Sequence, residues 1–151
     1  MDCNAGEDGD DATFTIALQS RPTADVMIPL LSLDTSEGTV SPPSIVLTSS
    51  NWNLPQVITV SGVDDAAVDG DQDYAVRVGP SASTQTEYNA LPFVDVSVTN
   101  TDNDSAGVVV APTSGLTTTE GGGTATFSIV LRTQPSADVT IALAQARRAA
   151  E

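Results

Sequence analysis

The sequence lacks several residue types on which common chemistries depend. Its 151 residues contain no histidine and no lysine, a single cysteine, and aromatic residues at only 4%. Without histidine or lysine, a Ser-His-Asp or Cys-His arrangement, a Schiff base and a phosphate-loop lysine are all excluded. Cys3 by itself can form neither an internal disulfide nor a zinc site. No run of about 18 apolar residues is present, and the N-terminal stretch is acidic where an export signal would be basic and then hydrophobic.

Positive charge is also scarce. Twenty acidic residues stand against five arginines, which gives a net charge of −15 at pH 7. Such a charge repels nucleic acid and anionic membrane surfaces and attracts cations, so we expect neither nucleic-acid binding nor membrane insertion. Two carboxylates held about 4 Å apart repel each other by roughly 4 kcal/mol at an effective dielectric near 20. The five aspartates within residues 64–73 therefore need a cation, protonation or full exposure to solvent.

An internal repeat divides the chain. Residues 12–30 (ATFTIALQSRPTADVMIPL) recur as residues 125–143 (ATFSIVLRTQPSADVTIAL), with 11 identities over 19 positions at an offset of 113 residues. A period of this length is the size of one β-sandwich module in a tandem array. We therefore predict a first module over residues 6–106 that lacks its opening strand and an incomplete second copy over residues 107–143. Residues 144–151 are interpreted as a non-native tail.

The first module has the sequence pattern of an antiparallel β-protein. Short β-rich runs, separated by clusters of Pro, Gly, Asn, Asp and Ser, read TFTIALQ, ADVMIPLLSL, SIVLT, QVITVSGV, YAVRVG and FVDVSVTN. In the last of these, Val94, Val96 and Val98 alternate with polar residues, which is typical of a half-buried strand. We predict an all-β fold: an antiparallel Greek-key β-sandwich of about seven strands, immunoglobulin-like.

Most acidic residues fall where these predicted strands end. Asp34, the pair Asp64 and Asp65, and the pair Asp102 and Asp104 each follow a strand, and Glu7 and Glu120 precede the two copies of the repeated strand. Loops from distant parts of a chain gather at the two ends of a sandwich. We therefore expect several acidic loops to converge at one end.

These motifs resemble those of the Calx-β domain, which is found in sodium/calcium exchangers, an integrin subunit and many large bacterial surface proteins. The resemblance rests on the Glu before ATF, on the DD pair followed by an acidic residue before Y-x-V-x-V, and on the closing DNDSAG at residues 102–107. It implies a calcium site whose candidate ligands are Glu7, Asp34, Asp64, Asp65, Asp69, Asp102 and Asp104. The chain would then be a calcium-binding structural repeat of a secreted or cell-surface, adhesin-like protein. Calcium would stiffen the loops and the junctions with neighbouring repeat modules.

The missing opening strand leaves a sheet edge to be completed. Residues 107–120 have the right strand character to fold back onto the first module or to pair with a second chain in a strand-exchanged homodimer. In either arrangement Glu120 would take the place of Glu7 as a calcium ligand.

Other interpretations of the acidic stretch remain. An EF-hand is excluded because Tyr74 occupies the required glycine position and Pro80 the position of the closing glutamate. Asp71 and Asp73, which lead into a strand, are expected to be solvated. A calcium-independent adhesive or carbohydrate-binding module is the main alternative function. A paired-carboxylate hydrolase is disfavoured by the low aromatic content, so we expect no enzymatic activity.

Overall fold

A computed structural model describes residues 3–146, which fall into two compact units. The first unit contains residues 1–65 and 69–103, and the second contains residues 66–68 and 104–151. The part of the predicted tail at residues 147–151 lies outside the described residues. Within the described range, no helix is long and apolar enough to cross a membrane.

The described residues of the first unit form nine strands in two sheets. The larger sheet has the order β1-β9-β7-β3-β5, with the short β8 also pairing with β3, and the smaller sheet has the order β2-β6-β4. The strands are β1 (Cys3–Gly6), β2 (Asp11–Ile16), β3 (Val26–Ser32), β4 (Gly38–Ser41), β5 (Ser44–Leu47), β6 (Gln56–Gly62), β7 (Gln72–Val78), β8 (Ala82–Ser83) and β9 (Val94–Thr101). A single 3-10 turn, Thr86–Tyr88, precedes β9. The predicted all-β, immunoglobulin-like antiparallel sandwich is confirmed.

The core lies between the two sheets and follows the alternation of the sequence. Along β2, Ala12 and Phe14 are buried while their neighbours are exposed, and β3 and β6 show the same two-residue period. The side chains with no or almost no exposure come from both sheets: Val26, Leu47, Ile58, Val60, Val76 and Val98. Burial of these aliphatic side chains is the main stabilising contribution to the fold.

The structure contains a short strand ahead of the first predicted one. Cys3–Gly6 forms β1, which pairs in parallel with residues 98–101 of β9. The pattern at these four residues, CNAG, is too short and too polar to be recognised as a strand from the sequence. Among the described residues, β1 pairs with the C-terminal half of β9, from Cys3 opposite Val98 to Gly6 opposite Thr101.

The second unit contains a two-stranded antiparallel ribbon. Its strands are β10 (Val108–Ala111) and β11 (Ser128–Leu131), with Val108 opposite Leu131 and Ala111 opposite Ser128. Arg132 continues this ribbon by donating its backbone N–H to Gly107 O at 2.9 Å. The part of residues 107–120 that forms a strand therefore pairs with the repeated segment that follows it.

Candidate cation site at the acidic end of the first unit

The direction of the strands determines where the acidic loops lie. β1 and β9 are parallel, with Gly6 opposite Thr101, so the two strands end side by side. The next residue after each is acidic: Glu7 after β1 and Asp102 after β9. The Glu7 backbone N–H donates to Thr101 O at 3.2 Å, which holds the two chain segments together at this point.

Other acidic loops lie at the same end, which we call the acidic end. β3 is antiparallel to β7, and β7 is antiparallel to β9, so β3 runs in the direction of β9 and also ends there. β7 begins there, since Gln72 lies opposite Asn100. β6 ends there as well, because Gly62 contacts Gly6. The acidic end therefore carries the candidate ligands of the first unit, namely Glu7, Asp34, Asp64, Asp65, Asp69 and Asp102.

Glu7 and Asp102 form the close pair of this group. A carboxylate oxygen of each lies within 4.8 Å of the other. Glu7 is 6% exposed and Asp102 is half-buried. Glu7 Oε2 accepts the Asn103 N–H at 3.2 Å, and Asp102 Oδ2 accepts the Gly70 N–H at 2.8 Å. Backbone donors thus fix both carboxylates in a partly dehydrated position, where their mutual repulsion is larger than in water.

Asp71 also belongs to this part of the structure. Its side chain is exposed, as expected, but Asp71 Oδ1 accepts the Asp102 backbone N–H at 3.1 Å. The neighbouring Asp73 is different, since Asp73 Oδ1 accepts the Thr99 hydroxyl at 2.7 Å across the β7–β9 pair. The signal that could have identified Asp71 is its position immediately before β7, opposite the end of β9.

Asp34, Asp64, Asp65 and Asp69 lie in the loops around this pair and are exposed. Among the described residues of the first unit, the close carboxylate grouping contains Glu7 and Asp102 and none of these four. Asp34 accepts hydrogen bonds from both the hydroxyl and the backbone N–H of Ser36. These bonds, the hydroxyl bond first, lower the pKa of Asp34 below its usual value of 3.8, so its carboxylate is ionised and anchored in the β3–β4 turn.

The remaining candidate ligands belong to the second unit. Asp104 directly follows Asn103, the last residue of the first unit. Asp104 is two residues beyond Asp102 in the chain, so the Cα atoms of Asp102 and Asp104 can be at most about 7.6 Å apart. Glu120 lies in an exposed turn closed by the Gly122 N–H, which donates to Thr119 O at 3.0 Å. Glu7 is the glutamate that the first unit itself places at the acidic end, and the role of Glu120 stays a prediction.

Asn100 connects the loops of the acidic end from within. It is 1% exposed, and its Nδ2 donates to Val63 O at 3.0 Å and to Glu37 Oε2 at 3.3 Å. Val63 directly precedes Asp64, and Glu37 closes the turn that contains Asp34. One buried amide therefore ties the β6–β7 loop and the β3–β4 turn to β9. Glu37 was not identified from the sequence, because its position before a four-residue strand carries no distinctive pattern.

Two glycines make room for polar side chains between the sheets. Gly38 and Gly62 are opposite each other in the β4–β6 pair. A Cβ at Gly38 would overlap the Tyr74 hydroxyl, and a Cβ at Gly62 would lie 2.5 Å from Asn100 Oδ1. Burial raises the pKa of Tyr74 above its usual value of 10.0, and the nearby Glu37 carboxylate adds to that effect. Tyr74 and Asn100 of the larger sheet thus rest directly on this pair of glycines.

The chemistry available at the acidic end is that of oxygen ligands. Carboxylates, backbone carbonyls and the Asn100 amide are present, and the sequence contains no histidine or lysine that could act as a base beside them. Six to eight oxygens at 2.3–2.6 Å in flexible geometry are what calcium requires, whereas zinc prefers nitrogen and sulfur. The residues present therefore suit a hard divalent cation.

Comparison with known proteins identifies no family for this chain. No family model matches the sequence, and no curated protein matches it. Among solved structures, SSP-19 of Caenorhabditis elegans, an MSP-domain protein like family member, is similar with 12% identity and a TM-score of 0.49 over 66% of this chain and 94% of that chain. The CupB2 chaperone of Pseudomonas aeruginosa is similar with 7% identity and a TM-score of 0.49, and the periplasmic chaperone SfaE with 8% and 0.47. The similarity covers 66% of this chain and 52% of CupB2, and 68% of this chain and 53% of SfaE. At these identities and TM-scores the similarity carries no functional argument.

Proposed function

We propose that this chain is a calcium-binding, non-enzymatic structural module in which the ion holds together the loops of the acidic end. The observation that carries the proposal is the buried Glu7 carboxylate, fixed within 4.8 Å of the Asp102 carboxylate at the ends of two parallel strands. A divalent cation would turn the repulsion between these groups into attraction. The exposed carboxylates of Asp64, Asp65 and Asp69 lie in a loop at the same end and would complete the coordination.

The context of this proposal is a tandem array at a cell surface or in secreted material. The repeat at an offset of 113 residues indicates that modules of this type follow one another. Because the segment that closes the first copy, residues 102–107, leads directly into the second copy, calcium in this segment would stiffen the connection between neighbouring modules. Extracellular modules bind calcium with dissociation constants of about 10⁻⁴ to 10⁻³ M, which suits the calcium concentration outside cells.

The proposal is tested by calcium titration of the 151-residue protein. Isothermal titration calorimetry should give heat with a stoichiometry of one or more, and chelator should lower the melting temperature. An ion that binds only the folded state contributes about 2.7 kcal/mol at a hundredfold excess over its dissociation constant. Magnesium at the same concentration and sodium chloride at the same ionic strength control for screening of the net charge of −15.

Two isosteric variants form a matched pair for this test. Glu7→Gln removes one charge at the acidic end, and Glu87→Gln removes the same charge from an exposed residue in the 3-10 turn near β8. We expect Glu7→Gln to lose most of the calcium-dependent rise in melting temperature and Glu87→Gln to keep it. A wild-type protein that melts at the same temperature in calcium and in chelator would contradict the proposal and would favour the calcium-independent adhesive module.

A further inference from the structure

A polar side chain occupies a core position at the acidic end of β9. Asn100 follows Val98 in the buried alternation of this strand, and both residues are 1% exposed. A buried amide loses its hydrogen bonds to water, and that loss is costly unless protein atoms replace them. An aliphatic side chain would fill the same position without this cost. The packing of the core therefore does not by itself account for asparagine here.

The hydrogen bonds of the Asn100 amide go to two different acidic loops. Its Nδ2 donates to Val63 O, where the β6–β7 loop begins, at 3.0 Å and to Glu37 Oε2 at 3.3 Å. The Val63 N–H donates in turn to Glu37 O at 3.0 Å. Glu37 belongs to the turn that starts at Asp34, since the Gly38 N–H donates to Asp34 O at 3.1 Å. We call Asn100, Val63 and Glu37 the bracket, because they hold the β6–β7 loop and the β3–β4 turn to each other and to β9.

The bracket also lies beside the two strand ends that carry the close carboxylate pair. A Cβ at Gly62 would lie 2.5 Å from Asn100 Oδ1 and 2.6 Å from Gly6 O, so the amide is next to the end of β1 that leads into Glu7. Asp102 is two residues beyond Asn100 in the chain. One side chain is therefore adjacent to the segments that present Glu7 and Asp102 and bonded to the two loops around them.

The carboxylates of the β6–β7 loop need such an anchor in order to act as ligands. Asp64, Asp65 and Asp69 are exposed and carry the same charge as Glu7 and Asp102, so repulsion opposes their approach. Ordering a loop around an ion also costs conformational entropy. A loop whose first residue is already fixed loses less entropy when the ion binds, and the ion is then bound more tightly.

We propose that Asn100 is a positioning residue for the cation site. Its Nδ2 donors fix the β6–β7 loop and the β3–β4 turn where their carboxylates can reach an ion held by Glu7 and Asp102. This role rests on the calcium site proposed for the acidic end. Because coupling between two equilibria is reciprocal, calcium must favour the closed bracket by the same factor by which the bracket raises calcium affinity.

The test is calorimetric titration of the 151-residue protein with calcium, in wild type, Asn100→Leu and Ser81→Ala. Leucine has the same number and branching of side-chain heavy atoms as asparagine but no hydrogen-bond donor. Ser81 is the matched control, since it is 8% exposed, donates to Tyr88 O at 2.7 Å and accepts the Leu91 N–H at 3.0 Å. It follows the end of β7 that lies away from the acidic end.

The two variants should separate positioning from stability. Both should melt below wild type in chelator, because each loses buried hydrogen bonds. At a temperature below all three melting transitions, Asn100→Leu should bind calcium about tenfold more weakly, and Ser81→Ala should keep the wild-type affinity. Equal affinities of wild type and Asn100→Leu, or an equal loss in Ser81→Ala, would overturn the positioning role alone. A wild-type protein that gives no heat with calcium would overturn the calcium site and this role with it.

Hydrogen exchange on the wild-type protein provides a test that does not depend on a variant folding. Calcium should slow the exchange of the Val63 amide and of the Asn100 side-chain amide by about tenfold, the factor expected from the affinities. The Leu91 amide, which donates to Ser81 Oγ, is the internal control and should exchange at the same rate with and without calcium. Unchanged exchange of Val63 and Asn100 in a protein that binds calcium would overturn the proposal. Uniform slowing that includes Leu91 would show stabilisation of the whole unit and would overturn it as well.

Discussion

Replacement of Gly62 by alanine tests the packing that underlies the acidic end. A Cβ at this position would lie 2.5 Å from Asn100 Oδ1, 2.6 Å from Gly6 O and 2.8 Å from Gly6 C. Real Cβ atoms do not approach backbone so closely, so β1 or β6 would have to move. Overpacking of this kind costs about 1–3 kcal/mol. For a unit of this size, each kcal/mol lowers the melting temperature by about 4–8 °C.

The sign of the effect makes this prediction sharp. Gly62 does not have a positive φ, so alanine fits its backbone conformation. If the close approach were absent, Gly62→Ala would stabilise the protein by about 0.4–1 kcal/mol through the entropy of the unfolded chain. Gly121→Ala is the control, since Gly121 also lacks a positive φ and its Cβ would meet only the Thr119 hydroxyl at 4.0 Å. Thermal melts of wild type, Gly62→Ala and Gly121→Ala measure the effect. A Gly62→Ala protein as stable as wild type, or more stable, would refute the described packing of β1, β6 and β9.

Two further predictions concern Tyr74 and Asp95. Among the described residues the buried Tyr74 hydroxyl has no hydrogen-bond partner, so Tyr74→Phe should raise the free energy of unfolding by about 1 kcal/mol. The control is Tyr88→Phe, which loses a 2.6 Å hydrogen bond to Ser20 O and should lower the free energy of unfolding by a similar amount. Denaturant titrations measure both changes. A Tyr74→Phe protein less stable than wild type would contradict this. The Arg77 guanidinium lowers the pKa of Asp95 in the folded protein below its usual value of 3.8, so the ion pair stabilises the fold at pH values above 3.8. This stabilisation is lost as the pH falls through the pKa that Asp95 has in the folded protein. The melting-temperature gap between wild type and Asp95→Asn should therefore close in acid, and a gap that persists at pH 2 would argue against the ion pair as its cause.

Much of the fold could be predicted from the sequence because it depends on local pattern. Six β-rich runs coincide with β2, β3, β5, β6, β7 and β9 to within about three residues, since β-branched residues at a two-residue period leave few alternatives. The short strands β1, β4 and β8 were missed because two to four residues carry too little periodicity. The position of acidic residues at strand ends was also readable from the sequence. Calcium binding and the roles of individual carboxylates stay predictions.

The amino-acid sequence by itself determined that this chain is an acidic β-protein with a repeated strand segment and carboxylates in its turns. The tertiary structure decided which of those turns meet. Glu7 lies beside Asp102 because β1 joins β9 in parallel, and Asn100 reaches Val63 and Glu37 because Gly62, which has no side chain, leaves room for the Asn100 amide. These contacts, like the hydrogen bond between the Asn103 N–H and Glu7 at a separation of 96 positions, depend on how strands pair and not on any local pattern. The sequence repeats the same core residues twice, yet only the structure distinguishes the copy that buries them from the copy that exposes them, because burial requires a second sheet.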